Sequence, residues 1–278
     1  MVDVRPPADT TGTTPSGYAC RRRAQPYHES VTGKADLFDV HRLRLTETAA
    51  PRLSPEEQEA RDRAWAGAVQ ANPALFDGPV VACTGVEWET PHSLVLSWTR
   101  VTYRHYALRL VPGATALPSL FVNVVQPTGD GRMLVVRMSP STSAPGRWQL
   151  PGGCVEPPGD HEPMDEAALR RNAARELAEE IGVDAAPEDL TLWAVTRGED
   201  RSIGLVFLAP PRPAPLLQES FAALVAAEQA AGREPELDRI TLIGSAAELS
   251  DLDGPHADYL EPVVRRCTRT VHGVAGPP

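Results

Sequence analysis

Glu176, Glu179 and Glu180 are the residues of this 278-residue chain whose types and spacing most directly suggest a reaction. Related as i, i+3 and i+4, they fall on one arc of a helix that turns about 100° per residue. Like charges so placed repel one another by about 0.2 to 0.5 kcal/mol per pair. The neighbouring arc, Ala174, Leu177, Ala178 and Ile181, is small and apolar and suits packing against a sheet. An acidic cluster at the edge of a packed face needs a counter-charge, and a hard divalent cation, Mg²⁺ or Mn²⁺, supplies one while keeping coordination positions for phosphate oxygens and water. The competing reading is a solvated helix laced by pairs between the glutamates and Arg170, Arg171 and Arg175.

The elements that must position these acids are legible around them. Ala, Leu, Glu and Arg dominate the run up to Ile181, and Gly182 fits a helix C-cap. Leu150-Pro151-Gly152-Gly153 precedes the helix, and its two glycines let backbone approach a ligand closely. Strands are expected over 38–45, 80–88, 93–99, 101–110, 120–125, 133–138, 147–150, 189–196, 203–208 and 239–243. A helix should open at Ser54-Pro55-Glu56-Glu57 and end before Asn72-Pro73, with further helices over 218–231 and 257–266, the last carrying Pro262 in its first turn.

Arg175-Glu176-Leu177-Ala178-Glu179-Glu180-Ile181-Gly182-Val183, behind Pro151-Gly152-Gly153, resembles the signature of the Nudix hydrolases, G-x5-E-x7-R-E-U-x-E-E-x-G-U with U apolar. The second half matches at every fixed position. The first half departs: from Gly153 to Arg175 the chain runs 22 positions where the signature has 14, and the signature's first glutamate would fall on Ala167. Glu156, Glu162 and the adjacent Glu166 are the acids that could replace it. The resemblance implies an α/β fold, a Nudix-type α/β/α sandwich with a mixed sheet over 113–278. An α+β extension over 37–112 and a mobile arm over 1–36 precede it. It implies that Glu176, Glu179, Glu180 and the Gly153 carbonyl bind Mg²⁺ or Mn²⁺, that Arg175 fixes a carboxylate, and that Glu180 or Glu199 takes the proton of the attacking water, with Asp200 next after Glu199.

A weaker similarity joins Trp65 to Gly78 and Tyr103-Arg104-His105-Tyr106-Ala107 to the UDP-sugar pyrophosphatase branch of that family. It implies a nucleotide sugar such as UDP-glucose, cut to UMP and sugar 1-phosphate. Arg137, Arg147 and Tyr103 are the expected substrate contacts, with Trp88, Trp98 and Trp148 as further stacking candidates. A prenyl or other biosynthetic diphosphate, or a nucleotide sensor with an impaired site, are the alternatives.

Composition narrows the partners. With 27 basic against 37 acidic residues the formal charge is −10, which disfavours nucleic acid and anionic membrane surfaces. The partner expected is a small-molecule diphosphate, with a homodimer possible. Cys20, Cys83, Cys154 and Cys267 form no C-x-x-C pair, and Cys154 reads as a packed loop thiol. No signal-like or membrane-length apolar run is present, so a cytoplasmic protein is expected. The triplet Arg21-Arg22-Arg23 reads as a solvated charge run.

Overall fold

The computed structural model describes residues 35–198 and 200–273. Residues 1–34 of the expected N-terminal arm, with its arginine triplet, Glu199 and the Gly-Pro-rich tail after residue 273 lie outside them, whereas the arm's last two residues are ordered, Ala35 buried and Asp36 opening the first strand.

A mixed four-stranded sheet has the order β1 (Asp36–Phe38), β8 (Thr191–Arg197), β9 (Ile203–Leu208), β5 (Leu120–Val125). The β5/β9 pair is parallel and the others antiparallel. Strands β10 (Leu237–Ile243), β6 (Met133–Met138) and β7 (Trp148–Gln149) form an antiparallel three-stranded sheet beside it. Strand pleating sends alternate residues to opposite faces, and both faces are covered. On one, Val122, Val124, Leu205 and Phe207 pack with Leu169, Leu177 and Ile181 of helix α2 (Glu166–Ile181) and Leu217 of helix α3 (Ala214–Ala230). On the other, Val125 and Val206 meet Leu260, Val263 and Val264 of helix α4 (Leu260–Gly273). This is the α/β/α layering expected.

The N-terminal elements add a third sheet, β2 (Arg42–Glu47), β4 (Ser93–Thr102) and β3 (Pro79–Thr90), and helix α1 (Pro55–Ala71). Helix α1 starts as its sequence dictates, with Ser54 and Glu57 exchanging reciprocal capping bonds of 3.2 and 2.8 Å. None of its residues is fully buried.

Three expectations change. The strand expected over 38–45 is divided, because Asp36–Phe38 pairs with β8 whereas Arg42–Glu47 crosses to the N-terminal sheet and runs parallel to β4. The strand expected over 101–110 is a 3₁₀ segment, Tyr103–Leu110, after a β4 that continues to Thr102. Coiling there buries His105, Tyr106, Ala107 and Leu108 together, with His105 Nε2 accepting the Leu117 N–H at 2.9 Å and the Tyr106 hydroxyl donating to the Val81 carbonyl at 3.2 Å. Helix α3 begins at Ala214 rather than 218, since proline fits a first turn, where its missing N–H costs nothing.

Candidate active site

Helix α2 is set by its ends. The Asp165 carboxylate accepts the Ala168 N–H at 2.8 Å, and Gly182 closes the helix at φ 71°. Leu169, Leu177 and Ile181 anchor one face in the core, which rotates Glu176 and Glu180 inward to 9% and 4% exposure. Glu180 Oε2 accepts the Gly152 N–H at 2.8 Å. Gly153 lies against the other buried acid: a Cβ there would stand 2.7 Å from Glu176 Oε2. Gly152 is pinned harder, at φ 146° with a hypothetical Cβ 2.1 Å from the Val122 carbonyl oxygen. Gly153 is therefore a steric requirement of the Glu176 carboxylate beneath it, and Gly152 of the loop's close approach to β5.

Burial holds both carboxyls above their ordinary range. Glu176 is pushed up to about 7, mainly by desolvation and further by Glu179, Glu236 and Glu156, with Arg175 opposing. Glu180 is raised well above the usual carboxyl range by desolvation, Glu236 and Glu176, while the Gly152 N–H works the other way. Arg175 is the organising cation. Its guanidinium meets Glu179 at 2.8 Å, Glu176 at 3.2 Å and Glu156 at 3.3 Å.

The sequence-derived site residues separate into three groups. Glu176, Glu180, Arg175 and Gly153 come together. Glu179 is adjacent but turned outward onto Arg175, its side chain 57% exposed, so the three glutamates do not form a closed ligand cage. Among the described residues no three His, Cys, Asp or Glu side chains form a ready-made metal cluster. An exposed i, i+4 ion pair is worth about 0.3 to 0.5 kcal/mol, so swinging Glu179 inward costs little. The Gly153 carbonyl accepts the Val122 N–H at 3.0 Å and the Pro151 carbonyl the Val124 N–H at 2.9 Å, both strand-type bonds to β5. The backbone that turns to the acids is that of Gly152 between them.

Arg137 does not join the site. It sits on the face of β6 opposite Val136, gripped in a fork by Asp238 at 2.8 Å to each oxygen and by Asp253 at 3.3 Å. Arg147 donates to Gln149 Oε1 at 2.8 Å, and its buried Nε has no hydrogen-bond partner among the described residues. Trp98 and Trp148 are core residues, 2% and 1% exposed, and Trp88 packs on Phe38 with centroids 5.3 Å apart. Those three rings offer no platform. Tyr103 does lie on an open cleft, its hydroxyl donating to Ser143 Oγ at 3.2 Å. The Cys154 thiol is half-buried and pushed up to about 11, mainly by desolvation, which keeps it protonated and fits a packed loop residue.

Two acids complete the picture. Of the replacements weighed for the absent first glutamate, Glu166 pairs with Arg170 at 2.5 Å and Ala167 faces solvent, whereas Glu156 alone reaches Arg175. Glu236, just before β10, was missed: it stands at the open mouth of the site, and its charge is felt by Glu176 and Glu180. Partial desolvation and Glu179 raise it. No spacing in the sequence links Glu236 to α2, because the pairing of β10 with β6 brings it there.

Glu176 and Glu180 thus lie buried beneath a glycine turn, at the edge of a sheet covered on both faces. Residues 119–242 match the family model of the NUDIX domain. The chain is similar to the solved MutT protein from Methanosarcina mazei Go1 at 21% identity, covering 55% of this chain and 96% of that one with a TM-score of 0.38. It is also similar to a NUDIX hydrolase from Nitrosomonas europaea at 20% identity, covering 58% and 93% with a TM-score of 0.33. No curated protein matches the chain. Nudix hydrolases generally use divalent metal ions. No described helix is long and apolar enough to cross a membrane.

Proposed function

We propose that this chain hydrolyses a phosphoanhydride of a small-molecule diphosphate with Mg²⁺ or Mn²⁺ held by Glu176, Glu179 and Glu180. The observation that carries the reading is the burial of Glu176 and Glu180 beside each other, with Arg175 pairing Glu176 but not Glu180. Left alone, that arrangement costs stability. A hard cation among carboxylate oxygens removes the cost, and the donor set has the all-oxygen chemistry such a cation prefers.

When bound, the cation neutralises phosphate oxygens and lowers the pKa of the water it holds. The Gly152 N–H keeps Glu180 fixed under the loop. Arg175, itself steadied by Glu156, holds Glu176 in place and stores Glu179 at the rim until it is needed. Glu236 lies at the mouth, open to solvent and close enough to act electrostatically on the buried pair, and accepts the proton of the attacking water. Glu199 remains a second acceptor by resemblance.

A nucleotide sugar is the substrate that the sequence similarity implies, and a sensor that binds without cutting is the competing use of the site. A phosphate-release screen with Mg²⁺, over UDP-glucose, geranyl diphosphate, dinucleotides and nucleoside triphosphates, separates them. Turnover that chelator abolishes supports hydrolysis; tight binding with no turnover of any member rejects it.

A further inference from the structure

The apolar layer between the sheet and helix α4 contains a polar cluster directly behind the glycine turn. Asn123 of β5 faces that layer, 2% exposed, and its Oδ1 accepts the Tyr259 hydroxyl at 3.3 Å. Asn123 Nδ2 is buried without a hydrogen-bond partner among the described residues. Leaving half of a buried amide unpaired costs stability that a leucine of similar size would not cost. A group held in that state calls for a role other than packing.

Tyr259 is delivered by the chain just before α4. Residues 255–257 run beside β7, where the Trp148 N–H donates to the Pro255 carbonyl and the Ala257 N–H to the Trp148 carbonyl, both at 2.8 Å. Two residues further along each segment, the Leu150 N–H turns to the Tyr259 hydroxyl and opposes the rise that burial imposes on its pKa. The ring is core, packed on Phe121 with centroids 5.8 Å apart. Its hydroxyl therefore joins the two segments that flank the turn, Leu150 after β7 and Asn123 in β5. Gly152 lies between these anchors. A Cβ on it would stand 2.8 Å from Asn123 Cα and 2.9 Å from Asn123 Oδ1, so the amide that Tyr259 holds is in contact with the turn. The Gly152 N–H in turn reaches Glu180 Oε2 at 2.8 Å.

We infer that Tyr259 and Asn123 are positioning residues: the Tyr259 hydroxyl clamps the Leu150–Gly153 turn to β5, and the clamped turn fixes the Glu180 carboxylate for the cation. The inference rests on the reading of Glu180 as a cation ligand. It gives the start of α4, across the sheet from the acids, a part in the site. Partners that orient a ligand from behind commonly contribute about 10-fold to 100-fold to metal affinity or activity.

The test compares Tyr259→Phe with Val263→Ala in the full chain. The first removes one hydroxyl and keeps the ring in the core; the second empties volume in the same α4 layer without touching a polar contact of the turn. Exchange of the Gly152 amide is followed by NMR of glycine-labelled protein in chelator, and the Kd for Mn²⁺ by calorimetry. Tyr259→Phe should speed the exchange and weaken Mn²⁺ binding, each about tenfold, whereas Val263→Ala should move each by about twofold at most. Asn123→Ala should match Tyr259→Phe, and the double variant should lose no more than either, because both act through one bridge. Tyr259→Phe with either readout unchanged, equal losses in Val263→Ala, or additive losses in the double variant would overturn the inference. A parent that binds no Mn²⁺, with the exchange response as expected, would defeat the cation reading of the acids and leave the clamp standing.

Discussion

Replacing Glu176 by Gln should stabilise the metal-free protein at alkaline pH while destroying its activity. The ordinary carboxyl value of 4.5 is pushed up to about 7, with burial as the main cause. Well below 4.5 the group is neutral in the folded and unfolded chains alike, and it has no effect on their balance. Between the two values the folded protein holds a proton that the unfolded chain has lost, so stability falls as pH rises. Above about 7 the penalty is complete, and at about 1.36 kcal/mol per unit it comes to about 3 kcal/mol. Glutamine is neutral throughout and escapes this. The lost contact with Arg175, 3.2 Å in the parent, offsets part of the gain. A net stabilisation of about 2 kcal/mol at about pH 8, and under about 1 kcal/mol at about pH 5, is expected. For a chain of this size that is a rise in Tm of about 4 to 8 °C at the higher pH. Thermal unfolding in chelator at both pH values is the assay. Added Mg²⁺ should then raise the Tm of the parent more than that of the variant. A variant that is equally or more destabilised at about pH 8 than at about pH 5 would refute the argument that burial of this carboxylate opposes folding.

Four further outcomes follow from the geometry. Gly152→Ala should cost about 2 kcal/mol or more of stability, read by urea unfolding, because its Cβ would meet the Val122 carbonyl and φ of 146° is strained for alanine. Gly153→Ala should instead act at the site, displacing the Glu176 carboxylate and lowering kcat about tenfold or more in a steady-state assay. Glu156→Gln should lower kcat about tenfold with unfolding free energy within about 1 kcal/mol of the parent, since its pair with Arg175 lies at the surface. Arg137→Ala should lower Tm by a few degrees by breaking the fork to Asp238 and leave kcat/KM within about twofold, its guanidinium being directed away from the acids.

The sandwich and the box helix were legible because they depend on local signals: the apolar arc of α2, its Gly182 cap, the apolar runs of β5 and β6, and the capping box of α1. The 3₁₀ segment at Tyr103–Leu110 was not, since its alternating residues suit a strand and only burial of His105 and Tyr106 against β3 and Leu117 decides for coiling. Of the site, the acids of one helical turn were plain, but their inequality was not. Whether Glu179 points in or out depends on an Arg175 rotamer, and the place of Glu236 depends on strand register some 56 residues further along. Arg137 was misplaced for a related reason: strand period assigns it to a face, and only the sheet's surroundings say that this face carries Asp238 and Asp253 rather than the acids.

The most direct measurement is anhydride cleavage by the parent and by Glu180→Gln, each with Mg²⁺ and with excess chelator, on methyl and geranyl diphosphates and UDP-glucose. Loss of parent turnover in chelator, restored by Mg²⁺ or Mn²⁺, and a fall in kcat of about 100-fold or more for the variant are the predicted results. Turnover that ignores the chelator, or a variant within a fewfold of the parent, would contradict the assignment of the buried carboxylates to a cation that drives hydrolysis.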